Sequence, residues 1–339
     1  MATTDAPHVS ETGTGDERER DQQGATRAHA SVLRDPVELR HKLLGVFQAA
    51  VHDARETVQA VDMDATGAVH DARKALRRAR AVLSLMSGAL PKSERRAVKE
   101  ALQAARRSLS TVRDHAVAPD TFAEIQLDDE DRGTGKRVLE NAAEAAPAAT
   151  EIKQLLGDAA TKAAVQAEAL EAALPGEIRW STVIDGLAGV YGEARTARRK
   201  AKRSKQAFHT WRRRTKELGY QLEIIGEMAG PRVHAVKSEI DAVSDTLGPA
   251  VDRIMLREFV ETHKLGIPAD AVGRLRTAID AQLDDLMDAA RKVASDSFEV
   301  KPSKFARRIA KTVKRDLASP DDRDGSSAAN DNADDDGDS

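Results

Sequence analysis

The sequence contains no cysteine among its 339 residues. Disulfide bonds, thiolate metal ligands and cysteine nucleophiles are therefore excluded from the chemistry of this chain. No apolar run approaches the roughly 20 residues that a helix needs to span a bilayer. The N-terminal segment also lacks the apolar core of a secretory signal. These absences predict a cytoplasmic protein that has no membrane partner.

Aromatic residues make up only 3% of the chain, so alanine and leucine must fill most of its core. With 40% hydrophobic and 32% charged residues, the composition is typical of an all-α protein. The spacing of apolar residues predicts helices at about 35–60, 66–88, 93–127, 134–172, 178–206, 207–229, 232–262, 268–296 and 302–317. Proline and glycine predict the breaks, including one at 128–135 and a kink or break at Gly248 and Pro249.

The formal net charge of −3 conceals an uneven distribution of charge along the chain. Residues 1–33 carry −3 and residues 316–339 carry −8, which leaves about +8 on residues 34–315. We predict disordered acidic tails at 1–33 and 318–339 on either side of a basic folded body. A basic body favours an anionic partner, and the acidic C-terminal tail could compete for the same surface.

An internal repeat is the strongest organisational signal in the sequence. The segments VHDARKALRRARAVLSLM, from Val69, and FHTWRRRTKELGYQLEII, from Phe208, place basic residues three, four and seven positions after a histidine. These residues are Arg73, Lys74 and Arg77 after His70, and Arg212, Arg213 and Lys216 after His209. At 100° per residue they lie within about 60° of the histidine, on one helix face.

The opposite face of each segment repeats as well and predicts a packing side. Its members are Ala72, Leu76, Ala79, Leu83 and Met86 in the first copy, and Trp211, Thr215, Leu218, Leu222 and Ile225 in the second. The two histidines are 139 residues apart. This separation predicts two similar helical bundles, at residues 34–175 and 176–317.

The paired histidine motifs resemble those of the CHAD family, the conserved histidine α-helical domain. The resemblance extends to STVRDHAVAPDTF at 110–122, DTLGPAVDRIML at 245–256 and the closing basic helix PSKFARRIAKTVKR at 302–315. It implies two four-helix bundles related by a pseudo-twofold axis, with basic faces that line a central groove or pore. It further implies binding of inorganic polyphosphate, and some family members lie on polyphosphate or polyhydroxyalkanoate granules.

The resemblance also implies a set of polyphosphate-binding residues. They are His70, Arg73, Arg77, Arg78, Arg80 and Arg113 in the first half, and His209, Arg212, Arg213, Lys216 and Tyr220 in the second. The second motif departs from the family pattern at Glu217 and Gly219, where basic residues usually follow. These departures predict a weaker second half-site.

Helical spacing extends the predicted binding surface beyond the two motifs. Lys74 shares the basic face of the first motif, and basic residues recur every three or four positions near residue 200 and in the closing helix. The added candidates are Arg195, Arg198, Arg199, Lys202, Arg308 and Lys311. Arginine suits a phosphate chain because its planar fork of donors contacts two oxygens at once. Binding should weaken steeply as salt rises, by the counterion release known for nucleic acids.

Simpler interpretations compete with this one. An isolated basic helix face is most often only solvated, but repetition at identical spacing favours a binding role.

A histidine metal site needs a second ligand about one turn away, and Lys74 and Arg213 occupy those positions, so we predict no metal and no other cofactor. The acidic run at 128–131 could bind a divalent ion, although a solvated loop is the simpler interpretation. No phosphate loop, dinucleotide motif, nucleophile elbow or catalytic triad is recognisable, which predicts a protein that is not an enzyme.

Two further functions remain open at this stage. Basic helices also suit nucleic acid, although the chain has few aromatic residues for stacking on bases and no motif that reads a duplex. A scaffold on a granule surface is the other alternative, and it requires a broad exposed apolar face.

Overall fold

The computed structural model describes residues 34–201 and 204–318, and every regular element in these ranges is a helix. The predicted all-α class is therefore confirmed. The acidic N-terminal tail, the acidic C-terminal tail apart from Ala318, and Lys202 lie outside the described residues. The helices are α1 (Pro36–Ala60), α2 (Ala65–Leu85), α3 (Lys92–Ser108), α4 (Ser110–Ala123), α5 (Asp129–Glu144), α6 (Ala149–Ala173), α7 (Trp180–Lys200), α8 (Lys205–Ala229), α9 (His234–Thr262), α10 (Ala269–Val293) and α11 (Pro302–Leu317).

Polar residues cap the helices that carry the two histidine motifs. The side chain of Asp64 accepts a hydrogen bond from the Gly67 amide at the start of α2. Ser204 accepts one from the Ala207 amide at the start of α8, at 3.2 Å. Each bond satisfies an amide that has no partner within the first turn of a helix. The sequence therefore begins both helices five residues or so before their histidines.

The predicted packing sides of α2 and α8 are buried, which confirms this part of the sequence analysis. All ten residues of these faces are at most 2% exposed, from Ala72 to Met86 in α2 and from Trp211 to Ile225 in α8. Burial of one face fixes the rotation of each helix about its axis. The histidine-headed basic face of each helix must then point away from the core.

The predicted helix at 93–127 is wrong, because the chain turns at Leu109 and forms α3 and α4 instead. At this turn Arg73 of α2 donates to the backbone oxygen of Arg106 at 3.0 Å. The carbonyl thus has a side-chain partner where a continuous helix would use a backbone amide. The turn places Arg106 and Arg113 on two differently directed helices that both face α2.

The predicted break at 128–135 is also wrong, since this stretch lies at the start of α5. Asp128 caps the helix by accepting from the Asp131 amide at 2.7 Å, and carboxylates are favourable near the positive end of a helix dipole. Gly135 lies within the helix, and its lack of a side chain leaves room for the ring of Phe122, which packs where a Cβ atom would lie. The chain breaks instead at residues 124–128, between α4 and α5, and at residues 145–148, between α5 and α6. By contrast, α9 continues without division through Gly248 and Pro249.

One large core contains residues from both predicted bundles, and a smaller core is formed by parts of α4, α5, α9 and α10. The predicted boundary at residues 175 and 176 falls in the connection between α6 and α7. Helices α2 and α8 pack on each other at the centre of the fold. The pseudo-twofold relation and the division into two four-helix bundles remain predictions, with six helices before the boundary and five after it among the described residues.

Candidate functional site

A cavity of about 970 Å³ lies between α2, α4, α8 and α9. The last turn of α3 and the middle of α10 each add a cation to its wall. Twelve lysine and arginine side chains line it against five aspartates and glutamates, which gives a formal charge of +7 without the histidines. A concave surface with a net positive charge concentrates its electric field on an anionic ligand inside it.

Eleven of the eighteen sequence-predicted site residues line this cavity. They are His70, Arg73, Lys74, Arg77, Arg80, Arg113, His209, Arg212, Arg213, Lys216 and Tyr220. Both histidine motifs therefore face one space, although they are far apart in the sequence. The packing of α2 on α8 brings them together.

Arg78 and Arg195 do not line the cavity and are bound to other groups. Arg78 forms ion pairs with Glu223 and Glu227 of α8, each at 2.6 Å. Arg195 donates to the backbone oxygens of residues 298 and 299, both at 3.1 Å. Arg78 thus links α2 to α8 by ion pairs, and Arg195 links α7 to the segment before α11 by hydrogen bonds.

Four other predicted residues also lie away from the cavity wall. These are Arg198, Arg199, Arg308 and Lys311, on α7 and α11. Arg308 lies 3.6 Å from a carboxylate oxygen of Glu239 and 5.7 Å from the centre of the Phe305 ring. Lys202 falls outside the described residues.

Sequence reasoning missed three cations of the cavity. They are Arg106, Arg257 and Arg276. Lys205, which continues the three-and-four spacing predicted to give a basic face near residue 200, also lines the cavity. Arg106 lies just before the segment that carries Arg113. Arg257 and Arg276 belong to neither motif, so no local pattern marks them.

Four arginines of the wall have a buried nitrogen without a hydrogen-bond partner. They are Arg77 of α2, Arg212 and Arg213 of α8, and Arg257 of α9, whose Nε atoms find no acceptor in the described part of the chain. A buried N–H without an acceptor is unfavourable because it has lost its hydrogen bonds to water without gaining another.

Burial and mutual repulsion lower the pKa of two neighbouring arginines. Burial, followed by the charges of Arg106, Arg113 and Arg77, lowers the pKa of Arg73 to about 9. Burial, followed by Arg80, Arg77 and Arg213, lowers the pKa of Arg106 to about 10. Both values remain above neutral pH, so both guanidinium groups keep their charge. A bound anion would relieve the repulsion.

His209 lies half-buried among these cations. Burial lowers the pKa of His209, and the charges of Arg213 and Arg212 lower it further. The imidazole is therefore neutral at pH 7 in the free protein. An anion in the cavity would oppose both arginine charges and favour the protonated ring.

The departure from the family pattern at Glu217 has a structural explanation. Glu217 is 6% exposed and accepts hydrogen bonds from Arg80 at 3.0 Å, Arg214 at 2.7 Å and Ser84 at 2.7 Å. Burial alone would raise the pKa of Glu217, but Arg80 and Arg214 outweigh burial and lower it. This carboxylate joins α2 to α8 at the edge of the cavity.

Gly219 explains the second departure, since it is buried and does not line the cavity. A Cβ atom at this position would lie 2.9 Å from Oδ1 of Asp241 in α9. A larger residue at this position would therefore have to displace the Asp241 carboxylate. The predicted weakness of the second half-site stays a prediction.

Two other features limit the kinds of site that the described residues offer. No group of three or more histidines, aspartates and glutamates in residues 34–201 and 204–318 is placed to hold a metal ion. In the same ranges, none of the helices combines the length and apolar character needed to cross a membrane.

The family model for the CHAD domain matches residues 45–261, nearly two thirds of the chain. The chain belongs to the CHAD domain family. The matched range contains both histidine motifs and every residue of the cavity wall except Arg276. The resemblance noted in the sequence is therefore confirmed.

A solved structure supports the same fold. The crystal structure of the CHAD domain from the plant Ricinus communis superposes with a TM-score of 0.53 over 76% of this chain and 91% of that chain. The two sequences are 18% identical, so the likeness concerns the CHAD fold alone. No curated protein sequence matches this chain.

Proposed function

We propose that this chain binds inorganic polyphosphate, or another polyanion of similar charge density, in the cavity between α2, α4, α8 and α9. The observation that carries the proposal is the set of unpaired, buried guanidinium nitrogens of Arg77, Arg212 and Arg213 in a wall of net charge +7. Phosphate oxygens supply both the hydrogen-bond acceptors and the negative charge that these groups lack.

The arrangement favours one ligand that contacts both motifs at once. Arg77 lies on α2, whereas Arg212 and Arg213 lie on α8, and all three line the same cavity. A phosphate chain carries closely spaced anionic groups, so one molecule could pair with cations of both helices. The ligand would then contribute to the packing of α2 against α8 as well as satisfying the arginines.

The proposed role is binding without catalysis. Most polar groups of the wall are lysines and arginines, which hold a positive charge at neutral pH and accept no proton. Such groups fix and neutralise a phosphate chain. Bond cleavage would require one of the histidines or carboxylates of the wall to act as a positioned base, a role that the proposal does not assign.

Nucleic acid is the second candidate, and the shape of the site argues against it. The unpaired cations line a concave cavity, whereas a duplex presents its phosphates on the outside of a wide rod. Tyr220 is the one Phe, Tyr or Trp side chain on the described wall, whereas single-strand binding commonly uses several stacking aromatics. A thin, flexible polyanion fits these observations better.

A scaffold role has less support. The large hydrophobic side chains that are exposed in the described residues are Val37, Met63, Val165, Leu265 and Val293. They lie on five different elements or loops and form no broad apolar face that would adhere to a granule polymer.

The proposal extends to location in the cell. A cytoplasmic protein with this cavity would collect on polyphosphate granules, because each granule offers many binding sites. A fluorescent fusion should form foci in cells that store polyphosphate and become diffuse in cells that lack it. Foci that persist without polyphosphate would point to another granule component.

Calorimetric titration of the purified chain tests the proposed function. Long-chain polyphosphate should bind tightly at low salt and more weakly at high salt, whereas orthophosphate should bind weakly and mixed-sequence DNA should not displace polyphosphate. The substitutions Arg77→Glu and Arg212→Glu together should abolish binding. Arg199→Glu with Arg307→Glu is the matched control, since both residues are exposed and lie outside the cavity wall.

Circular dichroism should first show that both double variants are folded. Equal losses in the two variants would mean that overall charge, rather than the cavity, governs binding. Tighter binding of DNA than of polyphosphate would move the function to nucleic acid.

A further inference from the structure

The cations of the cavity differ in their partners. Several have a buried Nε without a hydrogen-bond partner, and Arg257 is one of them. Lys205 and Arg257 also lie within ion-pair distance of Asp280 of α10. A carboxylate from outside the cavity wall therefore lies beside two cations of the wall.

The contacts of Asp280 resemble those of an anion in a binding subsite. Nζ of Lys205 lies 2.7 Å from one carboxylate oxygen, and Nε of Arg257 lies 3.3 Å from the other. The two cations belong to α8 and α9, and both line the cavity, whereas Asp280 does not. Two cations from separate helices thus converge on a single anionic group from outside the wall.

These contacts are exposed enough to be exchanged for others. The side chains of Lys205, Arg257 and Asp280 are 40%, 32% and 34% exposed. Ion pairs at this exposure contribute little to stability, because water and salt screen them. A phosphate group could therefore replace the Asp280 carboxylate without disrupting the fold.

The neighbouring carboxylate Glu261 differs from Asp280 in its arrangement. Glu261 lines the cavity itself and pairs with Arg276 at 3.0 Å and with Lys264. Its removal would free one cation of the wall. Asp280 lies within ion-pair distance of two cations of the wall, Lys205 and Arg257, although the charge of Glu261 also acts on Arg257.

We infer that Lys205 and Arg257 form an outer anion subsite of the cavity and that Asp280 occupies it in the free protein. This inference rests on the proposed function. Asp280 then sets how many phosphates of a chain the cavity engages, because a ligand reaches the outer subsite only by displacing the carboxylate. Asp280 is a specificity-determining residue that has no need to touch the ligand.

The variant Asp280→Asn tests the inference, with Asp284→Asn as the matched control. Asp284 lies one turn further along α10, is exposed and carries the same charge. At low salt, Asp280→Asn should bind long-chain polyphosphate about tenfold more tightly than the control. The slope of log affinity against log salt should steepen by about 1.4, because two more counterions are released at about 0.7 each.

A reversal experiment tests whether the gain in affinity of Asp280→Asn depends on Lys205 and Arg257. Adding Lys205→Gln and Arg257→Gln to Asp280→Asn should return the salt slope to that of the wild type. In the wild-type background, the same two glutamines should change affinity by less than about threefold, because both cations are already occupied. This second result does not depend on the folding of any Asp280 variant.

The outcomes separate the inference from the proposed function. If the wild type binds polyphosphate and Asp280→Asn matches Asp284→Asn in affinity and slope, the outer subsite is refuted and the cavity stands. A large loss of affinity from Lys205→Gln with Arg257→Gln alone would refute it as well. If neither the wild type nor Asp280→Asn binds polyphosphate, both proposals fail.

Discussion

Cations on α2 and α8 and cations on α7 and α11 follow the same helical spacing but have different surroundings. The first set faces a cavity, where Arg77 and Arg212 have buried nitrogens without partners. In the second set, Arg195 donates to backbone oxygens, Arg308 lies 3.6 Å from Glu239 and Arg199 is exposed. Arg198 resembles the first set in having a buried Nε without a hydrogen-bond partner, but it does not line the cavity. Spacing decides that cations share a helix face, but the opposing element decides whether they can bind a ligand.

The largest expected difference between the two sets is in affinity for polyphosphate. Neutralising Arg77, Arg212 and Arg213 to glutamine should weaken binding at low salt by at least about 100-fold, because charge-assisted hydrogen bonds contribute about 1.5–3 kcal/mol each. Neutralising Arg199, Arg307 and Lys311 should change affinity by less than about threefold. Titration of both triple variants measures the difference, and similar losses would show that the cavity has no special role.

The next difference concerns cations that are paired inside the fold. Glu217→Gln should lower the free energy of unfolding by about 3 kcal/mol, because it leaves Arg80 and Arg214 without their buried counter-charge. Glu227→Gln removes a half-exposed partner of Arg78 and should lower it by less than about 1 kcal/mol. Denaturant unfolding of both variants gives the two values. A small effect at Glu217 would mean that this ion pair is not a structural link between α2 and α8.

Neutralising an unpaired cavity cation should stabilise the free protein while weakening binding. Arg213→Met should raise the free energy of unfolding by about 1 kcal/mol, because it removes a buried Nε–H without an acceptor and a charge that is repelled by Arg214 and Arg80. Arg199→Met should leave it within about 0.5 kcal/mol of the wild type, since Arg199 is exposed. Thermal unfolding with and without polyphosphate provides the check. Destabilisation by Arg213→Met would mean that its charge is compensated in the free protein.

The smallest expected effect is a pH dependence that arises inside the cavity. Because burial and neighbouring arginines lower the pKa of His209, the ring is neutral in the free protein and gains a proton when an anion binds. Affinity should therefore rise as pH falls from 8 to 6, by less than about tenfold, and His209→Gln should remove this rise. Calorimetry in buffers of different ionisation enthalpy measures the proton uptake. Equal uptake by the variant would assign the proton to another group.

The periodicity of apolar and basic residues was sufficient to predict the helical class and the orientation of the two histidine motifs. All ten residues of the predicted packing sides are buried, and the basic faces of α2 and α8 line one cavity. Periodicity failed where a long-range contact changes the local course of the chain. The turn at Leu109 accompanies the hydrogen bond from Arg73 to Arg106, and α5 continues through Gly135, against which the ring of Phe122 packs.

By itself, the sequence determined the helical class, the faces that pack and the faces that carry charge, because these properties repeat with the period of a helix. Only the tertiary structure decided which charged faces meet. It gave Glu217 its partner Arg80, brought Asp280 beside Arg257 of the cavity wall, and directed Arg195 away from the cavity. The physical reason is that a helical pattern fixes the direction of a side chain on its own helix, whereas its partner is supplied by packing between residues distant in the chain.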